Sequence, residues 1–163
     1  MYMPDLLYVD DEPALLDIGK TFLEFSGQFR VDTATTAQDA LKKMELGVYD
    51  GVISDYQMPD MNGIELLCCI RKKYKDLPFI LFTGKGREEI AIEALNSGAD
   101  FYLYKGGEQK SQFVELEHQL KNAIERKQTH NDLRESQQRM KDLINFLPLS
   151  SLGGDGWIST VFA

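Results

Sequence analysis

Five short apolar segments recur through the first two thirds of the chain, and four of them end in conspicuously polar residues. They cover residues 6–9, 29–34, 52–54, 79–82 and 101–104. Between them, apolar residues recur every three or four positions, as on the inner face of a helix. Because the segments are mostly apolar and, apart from 29–34, do not alternate, we predict five parallel strands, each buried on both faces and each followed by a helix.

Turn and capping residues set the bounds expected for the helices. Pro13 suits the first turn of a helix that runs to about residue 26. Thr35 or Thr36 can cap a second helix through Gly47. A third begins at residue 62 or 63 and ends before the turn at 75–78. The fourth covers 88–97 and is closed by Gly98.

A different pattern begins near residue 111. Apolar residues step by three and four through 113, 116, 120 and 123. The same steps recur through 133, 137, 140, 144 and 147, where only Gln137 is polar, after a phase slip in the polar segment 127–131. We predict a fifth helix whose first part packs on the sheet and whose continuation to about Phe146 resembles an interrupted coiled coil. Pro148 would end it. The expected organisation is a domain at 1–127, an extended helix at 128–148 and a short truncated or disordered tail at 149–163.

Charge and composition narrow the function classes. The 163 residues carry a net charge of −8, and the first 110 hold 12 Lys and Arg against 19 Asp and Glu. This acidic balance disfavours direct nucleic-acid binding. No apolar run approaches the roughly 20 residues of a membrane span, and no secretory leader is recognisable, so we expect a cytoplasmic protein without membrane insertion. Cys68 and Cys69 are adjacent on a predicted helix and are unsuited to a mutual disulfide.

The residues with chemical potential all follow predicted strands. Asp10 and Asp11 follow the first strand, Asp55 the third, Thr83 the fourth and Lys105 the fifth. Parallel strands bring these ends to one edge of the sheet. Three carboxylates there favour a hard divalent cation such as Mg²⁺, while an ammonium and a hydroxyl suit a bound phosphoryl group.

Four motifs at these strand ends carry a family resemblance. They are Val9-Asp10-Asp11-Glu12, the segment 54–63 (SDYQMPDMNG), Phe82-Thr83-Gly84 and Tyr102-Leu103-Tyr104-Lys105. Together and in this order they make residues 6 to about 127 resemble a response-regulator receiver (CheY-like) domain of two-component signalling. The resemblance implies a flavodoxin-like, doubly wound sheet with strand order 2-1-3-4-5.

The resemblance also implies a role for each site residue. Asp55 would accept a phosphoryl group from a sensor histidine kinase or a phosphotransfer protein. Mg²⁺ would be held by Asp10, Asp11, Asp55 and the main-chain carbonyl of Gln57. Thr83 and Lys105 would bind the phosphoryl oxygens. Tyr102 would rotate inward as Thr83 moves, changing the face formed by helix 4, strand 5 and helix 5. Such a protein is not a dedicated enzyme: it phosphorylates itself and slowly loses the group.

Several alternatives stay open at this point. Thr83 could instead cap the fourth helix, and Tyr102 could simply fill a gap between helix and sheet. A Mg²⁺-dependent aspartyl-phosphate phosphohydrolase is an enzymatic rival, although that class has a second carboxylate where this chain has Gln57. A vestigial receiver-like dimerisation adaptor is a structural rival. Family members usually have proline after the lysine, where this chain has Gly106.

The C-terminal helix adds a further resemblance and a further alternative. Residues 133–144 resemble the linker helix that precedes PAS domains, and we expect a homodimer through this helix. The segment around His130 faintly resembles the phosphoacceptor box of histidine kinases, but a single exposed histidine on a helix usually has no such role.

Overall fold

Five strands and five helices alternate along the chain in the computed structural model, which describes residues 2–84 and 86–147. The strands are short, as expected of a parallel α/β domain. In chain order the elements are β1 (Asp5–Val9), α1 (Pro13–Phe25), β2 (Arg30–Ala34), α2 (Ala37–Leu46), β3 (Gly51–Ser54), α3 (Gly63–Lys73), β4 (Phe79–Thr83), α4 (Glu88–Asn96), β5 (Phe101–Tyr104) and α5 (Gln109–Phe146). The predicted order of elements is confirmed.

The sheet is parallel throughout, with strand order β2-β1-β3-β4-β5. This is the flavodoxin-like arrangement that the resemblance implied. Successive strand residues face opposite sides of the sheet, so each strand contributes to two separate cores. In β1, Leu7 and Val9 pack with residues of α2 and α3, whereas Leu6 and Tyr8 pack with α1 and the first part of α5. Neighbouring residues at any strand end therefore face different helical layers.

Local capping explains where the helices begin and end. Pro13 occupies the first turn of α1. Thr36 caps α2 by accepting a hydrogen bond from the Asp39 amide at 3.0 Å, and Asn62 and Glu65 form a reciprocal capping box at the start of α3. The proposed capping role of Thr83 is wrong, because α4 begins at Glu88 with Arg87 at its N-cap.

The expectation that every strand is buried on both faces is wrong for the two edge strands. In β2, Val31 and Ala34 are buried, whereas Arg30 and Asp32 are exposed. In β5 three residues are half-buried and Tyr104 is exposed. An edge strand has a neighbour on one side only, and the flanking helices cover it less completely. The central strands β1, β3 and β4 follow the prediction closely.

The last helix is continuous from Gln109 to Phe146, so its backbone is not interrupted at the phase slip. Its buried residues lie between Phe113 and Ile124. By its contacts the chain divides into two units, Met1–Lys127 and Gln128–Ala163. Pro148 and the predicted tail at 149–163 lie outside the described residues. Within 2–84 and 86–147, no helix is both long and apolar enough to cross a membrane.

Candidate functional site

Strand register brings the carboxylates of the two central strands together. Val9 of β1 lies beside Ser54 of β3, and the Asp55 amide donates to the Val9 carbonyl at 2.9 Å. The residues that follow, Asp10 and Asp55, consequently lie side by side at the carboxyl edge of the sheet. One carboxylate oxygen from each of Asp10, Asp11 and Asp55 falls within 4.8 Å of the others.

This carboxylate cluster, Asp10, Asp11 and Asp55, fits a hard divalent cation. Its donors are all oxygens, and three negative charges so close together are stabilised by a compensating positive charge. Asp10 is fully buried, Asp55 is half-buried and Asp11 is exposed, so the cluster is only partly accessible to solvent. The geometry therefore suits an ion that keeps some of its water, as Mg²⁺ does.

Lys105 brings a positive charge from the end of β5. Its Nζ lies 2.6 Å from Asp10 Oδ2 and 3.7 Å from Asp55 Oδ1, and it also lies 5.1 Å from the centre of the Phe82 ring. The contact with Asp10 is a short, charge-assisted hydrogen bond, whereas the distance to Asp55 is an ion pair without one. The ammonium thus neutralises the buried Asp10 carboxylate, and it does not hydrogen-bond to the Asp55 carboxylate.

The pKa of Asp55 is raised above the ordinary value. Burial is the largest cause, and the negative charge of Asp10 adds to it. The Lys105 ammonium, a hydrogen bond with Thr83 and one from the Tyr56 amide act in the opposite direction without cancelling these effects. Added positive charge beside Asp55 is therefore electrostatically favourable.

Thr83 and Tyr102 lie on the same face of the sheet. Tyr102 is paired with Leu81, two residues before Thr83, and both Leu81 and Tyr102 pack with the core on the α2 and α3 side. Thr83 is buried and reaches Asp55, whereas Tyr102 is half-buried. Because alternate residues of a strand face the same side of the sheet, Thr83 and Tyr102 lie in the same layer.

Two residues near the site have structural roles that the sequence did not reveal. A Cβ added at Gly63 would lie 2.2 Å from the Asp55 carbonyl oxygen and 2.7 Å from Leu81 Cδ1, so only glycine lets α3 start this close to the end of β3. Asp60, within the same motif, accepts hydrogen bonds from the amides of Ala37 and Gln38 at the start of α2. In the sequence, the role of Gly63 is indicated only by its position immediately after Asn62, the cap of α3.

A cavity of about 450 Å³ opens above the carboxylate cluster. Asp11, Asp55, Gln57, Thr83 and Lys105 all line it, together with residues of the loop after β3. We call it the acidic pocket. Two of the seven predicted site residues, Tyr102 and Asp10, do not line this pocket. Asp10 is fully buried and contacts Lys105. The Lys105–Gly106 bond is trans, as are the other peptide bonds in the described part of the chain.

Comparison with known proteins decides the family. The model of the response regulator receiver domain matches residues 6–117, which include all the motifs and strand ends described above. The chain belongs to this family. It is a receiver domain of two-component signalling, and the phosphoacceptor switch is the function that this family membership supports.

Individual relatives agree with this assignment. The receiver domain is 36% identical over 103 residues to the response regulator SaeR of Staphylococcus aureus, a match that covers 63% of this chain and 44% of that protein. The chain therefore spans under half the length of this curated relative.

Solved structures agree in fold over most of the chain. A response regulator receiver domain protein from Clostridium thermocellum superposes with a TM-score of 0.70 at 32% identity, covering 78% of this chain and 98% of the other. A CheY-like receiver domain protein from Methanospirillum hungatei JF-1 gives 0.68 at 32%, covering 77% and 99%.

Proposed function

We propose that Asp55 is the phosphoacceptor of this receiver domain. The observation that carries the proposal is the convergence of Asp11, Asp55, Thr83 and Lys105 in the acidic pocket, with Asp10 buried beneath. Asp55 is the only member of the carboxylate cluster that is both half-buried and bonded to Thr83. A carboxylate nucleophile is weak, so a surrounding set of positive and hydrogen-bonding groups is what phosphoryl transfer requires of the protein.

The phosphoryl donor that fits this chemistry is a phosphohistidine of a sensor histidine kinase or of a phosphotransfer protein. An Asp55 carboxylate oxygen would attack phosphorus while the phosphorus–nitrogen bond breaks, and the bonding electrons would return to the imidazole. The new acyl phosphate would keep its charge on the three outer oxygens. Lys105 and Thr83 supply an ammonium and a hydroxyl to hold those oxygens.

Asp10, Asp11, Asp55 and the main-chain carbonyl of Gln57 would hold Mg²⁺. The carboxylate oxygens within 4.8 Å of one another support this set, and Gln57 lines the same pocket. When bound, the ion neutralises the charge that gathers on the phosphoryl oxygens and aligns them with the acceptor. The remaining work falls to side chains: Asp10 fixes Lys105, and Lys105 balances the charge beside Asp55.

Phosphorylation would be transmitted through Thr83 and Tyr102. A phosphoryl group on Asp55 competes for the Thr83 hydroxyl that now bonds the carboxylate. Movement of Thr83 would change the space available to Tyr102 in the same layer, and Tyr102 would turn inward. Because β5 is an edge strand beside α4, this motion would alter the surface formed by α4, β5 and the first part of α5.

The helical segment of the second unit would join two copies of the chain. Within α5, Leu133 and Met140 are exposed and lie seven residues apart, and Leu147, just after the end of the helix, continues this interval. Seven residues is the repeat of a coiled-coil seam. A second copy of the same helix is the partner that this repeat fits.

The phosphoacceptor assignment is tested with a small phosphodonor and Mg²⁺. We expect the wild-type protein to gain the mass of one phosphoryl group and the Asp55→Ala variant to gain none. Asp50→Ala is the matched control, because Asp50 lies at the opposite end of β3 and should leave the modification unchanged. An equal mass gain on Asp55→Ala, or none on wild type, would refute the assignment. Steady hydrolysis of a phosphomonoester would instead favour a phosphohydrolase.

A further inference from the structure

A second, smaller cavity adjoins the acidic pocket. Its volume is about 240 Å³, and Lys105 and Leu15 line both cavities. Its other walls come from β1, β4 and the start of α5, including Tyr8, Phe82 and Gln112. We call it the rear cavity. Lys105, the cation that faces the acceptor, is therefore also exposed to a compartment with a different lining.

Two buried polar atoms in the rear cavity have no hydrogen-bond partner among the described residues. They are the Tyr8 hydroxyl and Gln112 Nε2. Tyr8 is fully buried, and a buried polar group without a partner is unfavourable. A phenylalanine would provide the same ring without the hydroxyl. The presence of two such atoms facing one small cavity calls for a ligand that bonds both.

The ring of Tyr8 is fitted closely into its place. A Cβ added at Gly19 of α1 would lie 2.4 Å from Tyr8 Cε1, so the glycine on α1 makes room for an aromatic residue on β1. This fit holds the ring in position and fixes where the hydroxyl lies. The hydroxyl is thus held rigidly at the rear cavity and cannot turn away to solvent.

Lys105 has hydrogen-bonding capacity to spare. Its ammonium carries three donors, of which one is used at 2.6 Å by Asp10. The distance of 3.7 Å to Asp55 is too long for a second hydrogen bond. A buried water needs two to four polar partners. The Lys105 ammonium, the Gln112 amide and the Tyr8 hydroxyl together provide three.

We propose that Tyr8 and Gln112 are positioning residues for Lys105, which they hold through a bridging water in the rear cavity. The water accepts hydrogen bonds from the Lys105 ammonium and the Gln112 amide, and donates one to the Tyr8 oxygen. Asp10 holds the ammonium from one side and the bridge holds it from another. The two contacts keep the ammonium close to Asp55, where it can bind a phosphoryl group. The positioning role rests on the proposed phosphoacceptor function, whereas the bridge itself does not.

The bridge is tested by Tyr8→Phe, which removes one oxygen and keeps the ring. Tyr74→Phe is the matched control: its hydroxyl makes a single long bond, 3.3 Å, to the Met44 carbonyl, far from the rear cavity. If water bridges Tyr8, removing the hydroxyl breaks a hydrogen bond, and we expect the melting temperature to fall by about 2–5 °C. If the cavity is dry, the same change removes an unpaired polar group, and the melting temperature will rise. A rise would overturn the proposal.

The positioning role is tested on Tyr8→Phe and on Gln112→Met. We expect Tyr8→Phe to slow phosphorylation by a small phosphodonor about three- to tenfold, the effect of one lost hydrogen bond. Its Mg²⁺ affinity, measured by titration calorimetry, should stay within about twofold of wild type, because the carboxylates are unchanged. Gln112→Met should behave in the same way.

The outcomes separate this inference from the proposed function. If wild type is phosphorylated and Tyr8→Phe reacts at the same rate, the positioning role fails and the phosphoacceptor assignment stands. An equal loss of Mg²⁺ affinity and of rate would indicate general damage and would also overturn the positioning role. If wild type is not phosphorylated, the assignment and the positioning role fall together, and the melting temperatures alone decide the bridge.

Discussion

At the residue scale, Asp55 combines partial burial with a nearby negative charge. Both raise its pKa, and neither the Lys105 ammonium nor the Thr83 hydrogen bond fully offsets them. The ionised form of Asp55 is therefore less favourable in the folded protein than in the unfolded chain. The same electrostatic cost makes the binding of a cation beside Asp55 favourable.

This cost predicts that Asp55→Asn stabilises the protein in the absence of divalent ions. Because the folded-state pKa is raised, ionising Asp55 costs more in the folded protein than in the unfolded chain, and this cost is present at neutral pH. It disappears as pH falls below about 4, where the carboxyl is protonated in both states. We expect thermal melts in a chelating buffer to show a higher melting temperature for Asp55→Asn at pH 7, and a shrinking gain toward pH 4.

The control for this experiment is Asp17→Asn on the exposed face of α1, which should change the melting temperature little at either pH. A lower melting temperature for Asp55→Asn at pH 7 would show that its contacts with Lys105 and Thr83 outweigh burial and the charge of Asp10.

The sequence was most informative at this scale about which residues matter. Asp10, Asp11, Asp55, Thr83 and Lys105 were predicted to share one sheet edge, and they do. The sequence did not reveal that Lys105 bonds Asp10 more closely than Asp55. That choice depends on side-chain reach across the folded sheet, which spacing along the chain does not encode.

At the element scale, helix caps were predictable because they are local. Thr36 and Gly98 act within a few residues of the helices that they delimit. Arg71 is the contrary case. Its guanidinium donates to the carbonyls of Tyr74 and Leu77 after α3, and to the Gly98 carbonyl 27 residues away. No sequence pattern indicates an arginine that joins the main chain just after its own helix to the main chain of a distant loop.

We predict that Arg71→Lys destabilises the domain. Lysine keeps the charge but loses the planar set of donors that reaches several carbonyls at once. The side chain is 16% exposed, so water compensates the lost bonds poorly. We expect the free energy of unfolding in urea to fall by about 2–4 kcal/mol, the range for losing one or two hydrogen bonds to a charged group.

Arg30→Lys is the comparison variant. Arg30 makes two hydrogen bonds, both to Asp5, and it lies at the surface, where solvent screens the pair. Its loss of stability should be clearly smaller than that of Arg71→Lys. Equal losses in the two variants would mean that burial of Arg71 contributes nothing.

At the scale of the whole molecule, topology was predictable from the βα alternation and from the family resemblance. The exposure of the edge strands was not, because it depends on how far the helices reach across the sheet. The role of the C-terminal segment also remains a prediction, because the proposed dimer involves a second chain.

Self-association predicts that the chain sediments as a dimer. Met140→Lys would place a charge in the apolar seam and shift sedimentation toward the monomer, because a buried unpaired charge is strongly unfavourable. Gln138→Lys adds the same charge outside the seam and should leave the dimer intact. The measurement is made with Mg²⁺, with and without beryllofluoride as a phosphoryl mimic. A wild-type monomer under both conditions would contradict dimerisation.

The pair of Lys105 and Asp10 joins residues 95 positions apart. During synthesis the first strand and its carboxylates leave the ribosome early, and β5 leaves long after them. A contact of such wide sequence separation forms late, because the intervening chain must be ordered first. Until then the carboxylates lack their cation. A nascent chain therefore carries Asp55 without the cation that completes its surroundings, and the acidic pocket is complete only after β5 has been added.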